Sequence, residues 1–486
     1  MSKQYAKAKV GIFGIGLAAY WPQFDGLKDR LEGYQKGVES KIRDMGAEVV
    51  SAGLVDDAPG AKLAGDLFAR ENVDIIVCYV GTYSTSSQVL PAVQRRKAPV
   101  LVLNLQPVPA LDYLDTDTAE WLANCCACCV PEISNAFARS RIQFNVVSGL
   151  LQPVEGYANK YYERAWAEIE DWVRAASVMR ELNYSRIGFL GHTYPGMLDM
   201  YSDFTMIHAQ LGAHVEVLEM DDLHVRVNSA TEQEINAKIE EIHATFQIAE
   251  QGHDKISMPV TDEAMRWSAK VSVGLDRLVT DFDLSGLTYY YRGLDGNPNE
   301  ELGASLIIGN SLLTARGIPA SGEGDLKTCI AMLIMDRLGA GGSYTEFYAM
   351  DFNDDFVLMG HDGPGHVKIS DEKPLLRGLG LFHGKRGYGL SVEFNVKHGP
   401  ITILGVTQSA DGNLKWLQAQ GQSIPGPTMQ IGNTNSRLKF DLDPATFMDS
   451  WCEEGPTHHV ALGIGNQKNR IRKLARLMEI NLVTIE

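Results

Sequence analysis

The sequence predicts an α/β protein: two doubly wound parallel-sheet domains followed by a C-terminal β-rich, barrel-like domain. Three observations lead there. The first third alternates continuous apolar runs with amphipathic stretches, the pattern of strands buried on both faces and joined by crossover helices. A second series of the same kind begins near Tyr184. After about Gly341 the texture changes to short alternating runs separated by Gly, Asn, Asp and Pro, as in antiparallel sheets. At 486 residues the chain is too long for a single core, and boundaries are expected at 1–178, 179–320 and 321–486.

In the first domain, Lys9 to Phe13 is an apolar run that opens into glycine, and Leu27 to Met45 is an amphipathic helix. Ala47 to Val55 is a strand and Lys62 to Arg70 a helix. Asp74 to Val80 and Pro99 to Leu105, rich in Val, Ile and Leu, are buried strands. In the second domain, Arg186 to Gly191, His214 to Met220, Gly286 to Tyr291 and Ala304 to Ile308 are expected as strands. Glu232 to Gln251 and Thr261 to Val279 are expected as helices between them. The third domain holds an apolar helix, Cys329 to Leu338, then the runs Tyr388 to Phe394, Pro400 to Thr407, Leu414 to Ala419 and Arg437 to Phe440. A helix from Lys468 to Met478 and a strand from Asn481 to Ile485 close it.

Composition excludes several function classes. The formal net charge is −17, which gives no basic footprint for a phosphate backbone, so no nucleic-acid partner is expected. No run reaches the roughly 18 apolar residues of a membrane span. The basic N-terminus leads into a glycine-rich stretch, Val10 to Ala19, that breaks at Trp21-Pro22 rather than at a cleavage site. A cytoplasmic protein is therefore expected. Seven cysteines, four of them in Cys125-Cys126-Ala127-Cys128-Cys129, fit free thiols in a reducing compartment.

Gly14-Ile15-Gly16-Leu17-Ala18-Ala19 formally matches a dinucleotide fingerprint, but two requirements of that fold fail. Pro22 falls where the phosphate-binding helix should propagate, and the acidic residue expected about 20 positions on is missing. The segment reads as a strand-to-loop turn, with Tyr20, Trp21 and Gln23 placed to touch a small molecule. The cysteine run lacks the spacing of a zinc or iron–sulfur site, and buried thiols on a packed helix are the expectation.

The informative region is 321–366. Glu323 sits between glycines just before the helix that starts near Cys329, and Asp325 is two residues further on. Read blandly, both are helix-start acids favoured by capping and the dipole. Glu346 lies among aromatics in Tyr344-Thr345-Glu346-Phe347-Tyr348. His361 ends an apolar run before Asp362-Gly363-Pro364-Gly365-His366, and His458-His459 precedes another apolar run. Two acids and two imidazoles at element ends suit a divalent metal with oxygen and nitrogen ligands, such as Mn²⁺.

Glu-Gly-Asp-Leu-Lys-Thr (Glu323–Thr328), Thr-Glu-Phe-Tyr around Glu346, Asp-Phe-Val-Leu-Met-Gly-His ending at His361, and Gly-Pro-Thr-His-His (455–459) resemble, in order and character, the L-arabinose isomerase and L-fucose isomerase-like family. The similarity runs weakly along the chain and is strongest at 319–366 and from Trp451 to Ile485. The resemblance implies a Mn²⁺ site made by Glu323, Glu346, His361 and His459. It places Asp325, Tyr344, His458, Gln23 and Gln106 near a sugar substrate. It also implies a trimer or hexamer with active sites shared between subunits. The sequence departs from the family pattern at Pro364, where the family has an acid, and near Cys128, where it has a histidine from a neighbouring subunit. A shorter loop before His361 leaves Asp351 as a rival ligand, and His366 is another.

The resemblance implies aldose–ketose isomerisation of a free pentose or hexose through a cis-enediol. Glu323 and Glu346 would be the catalytic carboxylates, their order unassigned. An epimerase on the same site and a non-catalytic sugar-binding protein are the rivals; two positioned carboxylates argue against the second.

Overall fold

The computed structural model describes residues 6–157, 159–250, 252, 256–292, 296–297, 299–379, 381–382, 385–386 and 388–486. The chain divides into two compact units, Tyr5–Glu181 and Leu182–Glu486, and the division falls near the end of helix Lys160–Asn183.

The first unit is built on five parallel strands, Lys9–Ile15, Glu48–Val55, Ile75–Val80, Val100–Gln106 and Phe144–Leu150, in the order second, first, third, fourth, fifth. Ile75–Val80 is buried throughout, which explains its continuous apolar run. The order reverses between the first and third strands, which makes a crevice at their carboxyl ends. Trp21 occupies the turn beyond Gly16: a Cβ there would meet its ring at 2.8 Å, and its Nε1 donates to Asp56 at 2.7 Å. Beyond Gly16 the chain makes a single 3-10 turn, Ala18–Tyr20, and the first α-helix starts only at Leu27.

Two local expectations are corrected. The cysteine run lies in a loop between helices Thr118–Ala123 and Val130–Arg139, not on a helix. The Asn124 amide turns back onto the Glu120 carbonyl and ends the first helix, and Pro131 belongs to the first turn of the next. Ala304 to Ile308 is not a strand either. Helix Ile307–Ala315 begins there, buried at every position. A short run that is apolar all round cannot be divided between strand and buried helix by periodicity.

The second unit joins a four-stranded parallel sheet to a barrel. Sheet order is Ala320–Ser321, Gly286–Tyr290, Arg186–Gly191, His214–Leu218, again with a reversal between its first strand in sequence and the third. Six antiparallel strands close the barrel: Gly341–Asp351, Phe356–His361, Thr434–Phe440, Leu414–Ile424, Gly399–Gln408 and His459–Ile464, each paired with the next and the last with the first. Asn481–Ile485 adds in parallel to Leu414–Ile424. Helix Leu326–Arg337, buried at all of its positions, packs against both the sheet strand Gly286–Tyr290 and barrel strands on its other side. It lies just past the boundary expected at 320/321 and binds sheet and barrel into one unit. Among the described residues, no helix is long and apolar enough to cross a membrane.

Candidate active site

Glu323 lies in the turn between strand Ala320–Ser321 and helix Leu326–Arg337, at the carboxyl end of the four-stranded sheet. The turn takes two successive left-handed residues, Glu323 (φ 59°) and Gly324 (φ 70°). The second must be glycine: a Cβ at Gly324 would sit 2.5 Å from the His192 carbonyl oxygen. Glu323, by contrast, is a side-chain-bearing residue in a sparsely populated region, a form of strain that neighbours must hold in place. They do so through the backbone. Gly324 N–H donates to Tyr289 O at 2.9 Å, and the Glu323 carbonyl accepts from Tyr194 N at 2.8 Å.

His459 begins the barrel strand His459–Ile464 and is fully buried. Its register partner across the antiparallel pair is Glu346, and Tyr344 is two residues along on the same face. Nδ1 of His459 lies 3.0 Å from Asp325 Oδ2 and 2.8 Å from Tyr344 Oη, and the Tyr344 hydroxyl is 3.3 Å from the Gly322 carbonyl. The carboxylate therefore holds the proton on Nδ1 and leaves Nε2 as the lone-pair nitrogen. That Nε2 is buried without a hydrogen-bond partner, 3.7 Å from Glu323 Oε2. The ring of His361 stands 5.1 Å from that of His459, and Tyr344 packs against both. Ligand atoms of Glu323, His361 and His459 all lie within 4.8 Å of one another. His361 Nδ1 accepts the Gly363 N–H at 2.9 Å.

Asp325 and Tyr344, expected near the substrate, are buried, and each reaches His459 Nδ1. Asp325 caps helix Leu326–Arg337, accepting from Thr328 N at 2.9 Å and Thr328 Oγ1 at 2.8 Å. Burial pushes its carboxyl up, but the hydrogen bond from His459, with Lys327 and the Thr328 amide, outweighs that and holds it below the usual carboxylate range. Burial raises the Tyr344 phenol well above its ordinary value.

Glu346 belongs to a second group, with His458 and His459. Its Oε2 lies 2.5 Å from His458 Nε2, and this contact raises the His458 imidazole despite partial burial. His458 is 46% exposed at the side chain, so it is the member of the cluster open to a ligand. Two supporting residues are absent from the sequence-based candidates. Asp199 Oδ2 accepts the His458 backbone N–H at 2.7 Å. Lys327 Nζ reaches Tyr201 O at 3.0 Å and Ser202 Oγ at 3.1 Å, tying the segment that carries Asp199 to the capped helix. A lysine near the start of a largely apolar helix is the available sequence signal for Lys327; for Asp199 there is none.

The rival ligands Asp351 and His366 belong to neither group of ligand atoms. Asp351 closes a turn, accepting from Asn353 N and Asp354 N. His366 sits 3.7 Å from Asp336, near the opposite end of helix Leu326–Arg337 from Asp325. In the first unit, Gln23 bonds its own turn at Ala19 O, and Gln106 bonds Val108 O.

Family models describing the L-arabinose isomerase central domain and C-terminal domain match residues 202–341 and 341–481, together more than half of the chain. The chain belongs to the L-arabinose isomerase-like family. It is 23% identical over 422 residues to an L-arabinose isomerase of Klebsiella pneumoniae, covering 85% of this chain and 80% of that one. An L-arabinose isomerase of Acidothermus cellulolyticus is 22% identical, over 89% of this chain and 85% of its own length. A sulfoquinovose isomerase of Alkalicoccus urumqiensis is 23% identical, over 64% and 68%. At the level of the family, the activity is that of sugar aldose–ketose isomerases.

Proposed function

We propose that the protein is a metal-dependent aldose–ketose isomerase of free pentoses or hexoses working through a cis-enediol. The observation that carries this reading is His459. Its Nδ1 is fixed by a buried carboxylate, and its Nε2 is buried, unpartnered and turned toward Glu323. A metal-ligating histidine needs this arrangement, in which the second nitrogen sets the tautomer and orientation of the first. The donor set of oxygens and imidazoles fits Mn²⁺ or another divalent cation, held by Glu323, His361 and His459 with Glu346 as the fourth ligand. Such an ion supplies Lewis-acid stabilisation of the negative charge that develops on the sugar oxygens.

The chain's own groups do the proton work. One of Glu323 and Glu346 removes the carbon-bound proton, and the other serves the oxygens. Glu346 has an exchange partner at hand in His458, whose backbone Asp199 fixes. The proposal extends to a cytoplasmic trimer or hexamer with shared active sites, in which Gln23, Gln106 and His458 contact the sugar. Relatives named for two different sugars leave the substrate at the level of its class.

The test is to dialyse the protein against chelator, restore Mn²⁺, and assay pentoses, hexoses and a sulfonated hexose for ketose formation. Ketose that appears only with the ion restored is the expected result. An epimer as product would move the reading to an epimerase, and no conversion of any sugar would overturn it.

A further inference from the structure

The segment between strand Arg186–Gly191 and helix Phe204–Leu211 runs past the candidate site and is bonded to it at three places. Tyr194 N donates to Glu323 O at 2.8 Å, and Asp199 Oδ2 accepts the His458 backbone N–H at 2.7 Å. Lys327 Nζ donates to Tyr201 O at 3.0 Å and to Ser202 Oγ at 3.1 Å. The segment's own regular structure is one 3-10 turn, Leu198–Met200, in which Met200 is buried while Leu198 and the following Tyr201 are exposed. The bonds to the site therefore carry much of its placement. Lys327 is itself buried, and the two oxygens it reaches are neutral. Burial lowers its ammonium from the ordinary lysine range, and the charges of Asp325 and Asp199 offset only part of that. A buried ammonium costs more than an apolar side chain of similar length. What it provides here is two directed bonds, to the residues two and three positions after Asp199.

We propose that Lys327 is a positioning residue for the isomerisation: it fixes the segment so that Asp199 sets the His458 backbone and aims the His458 imidazole at Glu346 and the sugar. The inference rests on the isomerase reading above, in which His458 contacts the sugar and exchanges with Glu346. Lys327 acts through Asp199 and not on the sugar itself. Ion affinity should not follow it, because the Asp325–His459 contact does not pass through the segment. The turn that carries Glu323 also keeps its separate bond from Gly324 N to Tyr289 O.

The experiment uses the full-length protein and two readouts. One is the His458 ring resonance in protein made with isotope-labelled histidine, assigned by its loss in His458→Asn. The other is kcat and KM, with Mn²⁺ restored, on whichever sugar the wild type converts. Lys327→Met keeps a stem and removes the donors. It is expected to displace the His458 resonance as Asp199→Ala does, and to lower kcat by up to about 100-fold, as misplacement of a reacting group can. Mn²⁺ affinity should stay unchanged. Asp199→Asn keeps an oxygen for the His458 N–H and should remain near wild type in both readouts. The double variant Lys327→Met/Asp199→Ala should lose no more kcat than the worse single one, since both break the same connection. A His458 resonance unmoved by Lys327→Met, or losses that multiply in the double variant, would overturn the proposal. A wild type that converts no sugar would sink the isomerase reading, and the resonance alone would then decide whether Lys327 positions His458. Should Lys327→Met fail to fold, Ser202→Ala removes one of the two acceptors and is judged by the same outcomes, at smaller size.

Discussion

Two aspartates do the same local task at the carboxyl edges of the two parallel sheets. Asp57 comes just after strand Glu48–Val55 and caps helix Ala58–Arg70, accepting from Gly60 N at 2.7 Å. Asp325 comes just after strand Ala320–Ser321 and caps helix Leu326–Arg337, accepting from Thr328 N at 2.9 Å. The first is exposed and its task ends there. The second is fully buried, and its other oxygen fixes His459. Identical capping chemistry thus serves as a helix start at one edge and as the support of a reactive imidazole at the other. Topology provides both edges with turns and helix N-termini; only the side chains brought from the barrel make one of them a site.

The largest effect that separates the two edges concerns the carboxylates that only the second possesses. Glu323→Gln and Glu346→Gln each remove a proton-transfer group while keeping side-chain size. Each is expected to lower kcat by about 10³-fold or more, within the range of general acid–base catalysis. Circular dichroism and thermal melting should show the fold intact. Near-normal turnover by either variant would break the assignment of that residue.

The inner strands of both sheets are legible in the sequence because they are buried on both faces and read as unbroken apolar runs. Glu323, Glu346, His361 and His459 stand out because each lies at an element end or among aromatics. Their residue types suit one metal site, and the family resemblance groups them, but the contacts that would join them are not legible. The pairing of Glu346 with His459 depends on barrel register across more than a hundred residues, and the approach of Glu323 depends on a left-handed turn held by Tyr194 and Tyr289. Asp325 is legible as a helix cap, and its second bond is not, since the partner arrives from a distant strand. Ile307–Ala315 shows the same limit in another form: complete burial erases the periodicity that distinguishes a helix.

A smaller effect divides the two tasks of Asp325. Asparagine is as good a cap as aspartate, so Asp325→Asn should preserve the helix start. It removes the charge behind His459, and loss of such a supporting group weakens metal binding by about 10–100-fold. Titration of chelator-treated protein with Mn²⁺, monitored by electron paramagnetic resonance of the free ion, reads this without any activity measurement. An unchanged affinity would mean that Asp325 is only a cap, and the contrast between the two edges would collapse.

The smallest effect tests the other side of the comparison. Asp57→Ala deletes an exposed cap and leaves one first-turn N–H to water, at a cost of about 1 kcal/mol. Asp57→Asn should cost almost nothing. Neither substitution should alter Mn²⁺ affinity or turnover, because no imidazole rests on Asp57. Chemical denaturation gives the first quantity and Mn²⁺ titration the second. If Asp57→Ala weakened Mn²⁺ binding as Asp325→Asn is expected to, the loss would stem from damaging any sheet-edge helix, and the carboxylate–histidine contact could no longer be credited with it. A stability loss with unchanged affinity isolates the Asp325–His459 contact as what distinguishes the second edge from the first.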